Sequence, residues 1–152
     1  MPGVFMQLRR LLFAILLILS ALPCAATHMA VVVDKANSAG NLASADLTKI
    51  LQNMSKNWPD GRKVTVVLRD LSSTETESAL EKLFKFSSDE MKAFFLAHRS
   101  SIVTVHSDAE LLKIVESTPG ALGLVDVYSI TSKVNVVKVD GKLPLEQGYL
   151  LH

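Results

Sequence analysis

The chain has 152 residues, with sixteen Lys or Arg against fifteen Asp or Glu, and a single cysteine. A balance so close to neutral supplies no global basic field for nucleic acid and no Lys/Arg stripe for a membrane surface, so any anion site must be local. Two of the basic residues, Arg9 and Arg10, and none of the acidic ones fall within residues 1–26.

That first stretch reads as a secretory signal peptide. Arg9 and Arg10 give a basic start, residues 11–22 (LLFAILLILSAL) an apolar core, and Pro23-Cys24-Ala25-Ala26 a small-residue cleavage region. The apolar run is shorter than the roughly 20 residues that cross a bilayer, so no stable membrane insertion is expected once the leader is removed. Cleavage after Ala26 leaves residues 27–152 as one periplasmic or secreted domain, enough for one hydrophobic core. Cys24 offers lipidation as an alternative, although Pro23 stands where a small residue would precede a lipidated cysteine. With Cys24 removed, no disulfide, thiol nucleophile or zinc–thiolate site is possible.

Residues 30–34 (AVVVD) form a short apolar strand, followed by a polar turn over 35–41. Leu42, Ala45, Leu47, Ile50 and Leu51 recur at nearly helical period over 42–54, with Ser44 as the cap before Asp46. Pro59-Asp60-Gly61 makes a turn, and the valine-rich run 63–68 (KVTVVL) is the next strand. It leads into Arg69, shortly before a Ser-Ser-Thr helix start.

Residues 74–86 place Ala79, Leu80, Leu83, Phe84 and Phe86 on one helical side. A second helix over 88–98 is capped by Ser88 and turns Met91, Phe94 and Phe95 inward. Residues 102–105 form a strand, Ser107-Asp108 opens a helix with Leu111, Leu112, Ile114 and Val115, and Thr118-Pro119-Gly120 closes it. Residues 121–127 and 134–140 complete the strands. Continuous apolar strands alternating with helices imply an α/β fold, with a mostly parallel sheet covered on both faces. No repeat or linker divides the chain further.

Arg69, Ser72, Ser73 and Thr74 are the candidate ligand-binding residues. A helix N-terminus has unpaired N–H groups and a positive partial charge, and the planar arginine fork offers two parallel bonds to an oxyanion. The same residues also fit a purely architectural role. Ser72-x-x-Glu75 and Thr74-x-x-Glu77 both have capping-box spacing, and Arg69 can pair with a protein acid. Asn37 and Ser38, with Asn41, follow the first strand; they either line the same crevice as Arg69 or serve as turn residues. Trp58 reads as a core or lid aromatic, and Glu81 with Lys85 as an i,i+4 pair on a solvated helix side. The chain contains no Gly-x-Ser-x-Gly, no His-Glu-x-x-His, no glycine-rich phosphate loop and no paired cysteines. No catalytic role, cofactor or metal site is therefore expected.

Several segments together resemble the periplasmic phosphate-binding proteins of ABC uptake systems. The helix and tryptophan over 41–58 are similar to the helix after the first strand of that family's second lobe. Residues 66–74 (VVLRDLSST) resemble its strand and Arg-x-x-Gly-Ser-Gly-Thr anion loop, and residues 105–112 the helix start that follows. Residues 119–124 (PGALGL) resemble its Pro-Gly-Ala-Ile-Gly-Tyr strand, and 137–142 its closing strand and turn. The resemblance implies a single lobe of a type II periplasmic-binding-protein-like fold. It also implies a non-catalytic domain binding inorganic phosphate or a similar oxyanion, with an ABC permease or a second protein lobe as partner. The alternative is an interaction module that kept the fold without the ligand. Arg69 and Ser73 match the family loop, whereas Ser72 and Thr74 replace glycines and Glu75 replaces a threonine. A carboxylate at that place repels phosphate unless something neutralises it.

Overall fold

The computed structural model describes residues 27–152; the leader assigned to residues 1–26, with Cys24, lies outside them. The elements are β1 (Met29–Asp34), β2 (Asn41–Leu42), α1 (Ser44–Leu51), β3 (Thr65–Arg69), α2 (Thr74–Phe84), α3 (Ser88–His98), β4 (Ile102–Val105), α4 (Asp108–Ser117), β5 (Ala121–Asp126), a 3-10 turn (Val127–Ser129) and β6 (Val134–Val139). The six strands form one sheet in the order β2-β6-β1-β5-β3-β4.

Alternation along the strands explains why their apolar runs are unbroken. Met29, Val31 and Val33 of β1, Val66 and Leu68 of β3, and Leu122 and Leu124 of β5 belong to the core shared with α1, α2 and α3. Ala30 and Val32, Val67, and Ala121 and Val125 belong to a second core under α4. Both faces of the sheet are thus covered, as the sequence pattern implies.

Strand direction holds one surprise. β3, β4 and β5 are mutually parallel and β2 is parallel to β6, but β1 is antiparallel to both of its neighbours, β5 and β6. Five strands therefore run one way and the central one runs against them. The link from β1 to β2 spans only residues 35–40 and has no helix. A connection that short turns the chain back rather than carrying it over the sheet to start a parallel strand. An apolar run looks the same in either direction, so composition cannot reveal the reversal.

Glycine is required where the layers meet most closely. A Cβ on Gly123 would stand 2.5 Å from Leu111 Cδ2 and 3.1 Å from the Val67 carbonyl, so α4 lies on β5 where that side chain is missing. Gly120 has φ +85°, and a Cβ there would stand 2.1 Å from the Lys63 carbonyl. Around it, Trp58 Nε1 donates to the Gly120 carbonyl at 2.9 Å, and the buried Asp34 accepts from the Gly120 N–H. Trp58 is accordingly a core aromatic with its one polar atom satisfied.

The C-terminal residues close the first core. Tyr149 is buried, donates its hydroxyl to the Met29 carbonyl at 2.8 Å, and burial pushes its phenol above the usual range. Met29 N–H donates to the Leu151 carbonyl at 2.8 Å, fixing the tail against the start of β1.

Candidate anion-binding site

β3, β4, β5 and β6 finish at one end of the sheet, where α1, α2 and α4 begin. Arg69 is the last residue of β3 and reaches into this region half-buried. Its Nη1 lies 3.5 Å from Asp108 Oδ1 at the start of α4. The other Asp108 oxygen accepts from Ser129 Oγ at 2.8 Å and from the Asp126 N–H at 3.1 Å. Arg69 Nε is buried and has no hydrogen-bond partner among the described residues.

The hydroxyls at the start of α2 are engaged by the protein itself. Ser73, not Ser72, is the N-cap; its Oγ accepts from the Thr76 N–H at 3.3 Å and lies 3.1 Å from Glu75 Oε2, to which it donates. Ser72 instead donates both its N–H and its hydroxyl to Asp70, so the box expected between Ser72 and Glu75 does not form. The reason is local: Asp70 stands two residues before Ser72 and forms an Asx turn that draws the serine back. Thr74 is the first helical residue and is exposed.

Two nearby carboxylates, Glu75 and Asp70, are held in their charged forms. Glu75 lies below the usual carboxylate range because of its own backbone N–H, then the Ser73 hydroxyl, with the charge of Arg69 adding to both. Asp70 is lowered chiefly by Ser72 and then by His106, whose Nδ1 faces its second oxygen. One guanidinium thus contacts Asp108 and adds its charge to the field at Glu75, with a third carboxylate nearby on Asp70. An added oxyanion must compete with these groups.

Asn37 and Ser38 do not join this region. Because β1 runs against the other strands, its C-terminal end emerges where β3 and β5 begin, and Asp34 there contacts Gly120. Asn37 is buried and its Oδ1 accepts from the Ala39 N–H at 2.9 Å, an Asx turn. Ser38 is exposed beside Trp58 and Pro59, lining a separate cleft. The structure thus brings Arg69, Ser72, Ser73 and Thr74 together and separates Asn37 and Ser38 from them.

Asp108 is the residue that sequence reasoning missed. Ser107 Oγ accepts from the Glu110 N–H, so a serine cap followed by acids reads as ordinary helix-start chemistry. Nothing in the linear spacing connects Asp108 with Arg69. The other expected caps shift by one residue. Ser87 caps α3 in a capping box with Glu90, and α1 starts after Ala43, with the Ser44 N–H held by Asp140 Oδ1 at 2.8 Å. The pair expected between Glu81 and Lys85 is not among the ion pairs of the described residues.

A family model described as a PBP superfamily domain matches residues 19–149. Among solved structures, an ABC-type phosphate transport receptor from Vibrio cholerae superposes with a TM-score of 0.70 at 21% identity, covering 82% of this chain and 53% of that one. PstS from Borrelia burgdorferi gives a TM-score of 0.66 at 23% identity, covering 78% and 49%. A putative phosphate ABC transporter substrate-binding protein from Clostridium perfringens, solved with bound phosphate, gives 0.63 at 19% identity, covering 76% and 46%. The chain spans about half the length of these structures, and likeness at such identity speaks for the fold. No curated protein sequence matches it.

Proposed function

The chain belongs to the PBP superfamily domain family, and from that membership we propose that it is an exported, non-catalytic binding domain for a small oxyanion, phosphate first. The ligand is taken at Arg69 with the turn formed by Ser72, Ser73 and Thr74. The observation that carries this reading is the state of Arg69. It ends β3 beside the N-terminus of α2, one guanidinium nitrogen reaches Asp108 only at 3.5 Å, and Nε has no partner among the described residues. An arginine beside a helix N-terminus, with one donor left unpartnered, favours negative charge.

The same site limits affinity. Glu75 and Asp108 already face the guanidinium, and a single lobe leaves an ion half exposed to water. Binding is therefore weak unless a second lobe or an ABC permease covers the ligand. The hydrogen bonds of Ser72 to Asp70 and of Ser73 to Glu75 favour a second reading, a protein-interaction module in which the protein's own acids have replaced the ligand.

Calorimetric titration of the purified protein with phosphate separates the two. Saturable heat that disappears in Arg69→Ala supports oxyanion binding. No heat at millimolar phosphate, or equal heat in Arg69→Ala, supports the interaction module.

A further inference from the structure

β3 and β4 run parallel and finish level, with Arg69 paired to Val105, so the residues that follow, Asp70 and His106, leave the sheet side by side. The Asp70 N–H donates to the Val105 carbonyl at 3.0 Å, and His106 Nδ1 lies 2.5 Å from Asp70 Oδ2. The other Asp70 oxygen holds the N–H and hydroxyl of Ser72. One carboxylate thus joins an imidazole to the turn before α2, next in sequence to Arg69.

That contact decides which ring nitrogen carries hydrogen. An ionised Asp70 can only accept, so Nδ1 must donate, and in the neutral ring Nε2 is left with a lone pair. Nε2 makes no hydrogen bond among the described residues, and the side chain is 81% exposed. A neutral His106 therefore offers an oxyanion no free donor, whereas a protonated one adds a positive charge and a second ring N–H.

The surroundings make that added charge count. Asp70 faces the ring from the turn after β3. From α4, Glu110 accepts the His106 N–H at 3.0 Å, and Asp108 meets Arg69 at 3.5 Å. With Glu75 these make four carboxylates in a region whose other cation is Arg69. Among these side chains only the imidazole is of a type that ordinarily changes charge between about pH 5 and 8.

We propose that oxyanion binding in the Arg69 region is linked to proton uptake by His106, so that the site holds phosphate more tightly on the acid side of neutrality than on the alkaline side. The inference rests on the reading of Arg69 as an anion site and adds to it a second cation, present only when His106 is protonated. Binding and protonation then reinforce each other, because each raises the protein's affinity for the other.

Calorimetric titration of the wild type and of His106→Gln with phosphate, at about pH 5.5 and about pH 8, tests the link. Glutamine keeps an N–H for Asp70 but cannot take up a proton, and the titration of phosphate itself is common to both proteins. The two should bind alike at the higher pH. At the lower pH the wild type should bind about threefold more tightly or better, a modest factor because solvent screens an exposed charge. Near neutrality the wild-type heat should also vary with the ionisation enthalpy of the buffer more than the variant's does, which reports the proton taken up. Identical pH profiles in the two proteins would overturn the link while leaving the Arg69 site standing. An equal loss of affinity at both pH values would make His106 a support for the Asp70 turn and overturn it too. No heat from the wild type at either pH would remove the Arg69 site itself, and the link with it.

Discussion

Arg69 ends β3 and Asp108 opens α4, 39 positions later, yet guanidinium and carboxylate meet at 3.5 Å. Asp108 also accepts from Ser129 and from the Asp126 backbone, so one side chain ties β3, α4 and the turn after β5 together. Asp108→Ala leaves the half-buried guanidinium and the Asp126 N–H without this acceptor. The expected cost is about 1–3 kcal/mol, the usual penalty for orphaned polar groups. It should appear as a lower urea midpoint with an unchanged slope. A midpoint equal to wild type would mean that the contact holds nothing in place.

Glu75 supplies the opposite test, because removing it should help the ligand rather than harm the fold. Its carboxylate is charged, faces Arg69 and sits where the resembling family has a threonine. At an effective dielectric of about 20, a unit charge about 4 Å from a phosphate costs roughly 4 kcal/mol, reduced by solvent at this partly open site. Glu75→Gln or Glu75→Thr should therefore tighten phosphate binding by tenfold or more in calorimetry. Unchanged affinity in both variants would remove Glu75 as the competitor.

The same carboxylates set the acid limit of the fold. Asp70 and Glu75 are both held below their ordinary values of 3.8 and 4.5 by hydrogen bonds formed on folding. A carboxyl whose folded pKa is depressed contributes stability that is present above the unfolded value and lost as pH falls through the folded one. The melting temperature should thus show no change from these two groups between pH 7 and pH 5, then fall below about pH 4.5. In an Asp70→Asn, Glu75→Gln double variant the acid-side decline should be shallower. An identical decline in both proteins would show that other groups set it.

Much of this fold is written in the chain, and the limits of that reading are physical. Valine-rich runs and helical periodicity identify β1, β3, β4, β5, β6 and all four helices, because burial on both sheet faces demands apolar residues whichever way a strand runs. That same indifference hides the reversal of β1, and with it the separation of Asn37 and Ser38 from Arg69. Arg69 and Ser73 are legible because helix-start chemistry is local in sequence. Asp108, the partner of Arg69, and Tyr149, which holds the start of β1, are not legible, since each acts across a contact made only by the folded sheet. Cap positions drift by one residue for a related reason. Where serines are consecutive, as at 72–73 and 87–88, tertiary neighbours and nearby acids decide which one turns inward.

Gly120 offers the sharpest test of the packing beneath the sheet. Its carbonyl accepts from Trp58 Nε1 at 2.9 Å and from the Thr65 N–H at 3.1 Å, while its N–H points to Asp34. A methyl group there would meet the Lys63 backbone at 2.1 Å from a residue already at φ +85°, and neither neighbour can rotate away. Backbone strain of about 1–2 kcal/mol adds to an overpacking cost of about 1–3 kcal/mol, so Gly120→Ala should lose roughly 3 kcal/mol or more. Gly123→Ala is the informative contrast. There the closest atom is the end of the Leu111 side chain, which can shift, and the loss should stay near the lower end of that overpacking range. Urea unfolding of both variants gives the comparison directly. If Gly123→Ala proved the more damaging, the close approach of α4 to β5, rather than the Trp58–Gly120 junction, would be the tighter constraint on this fold.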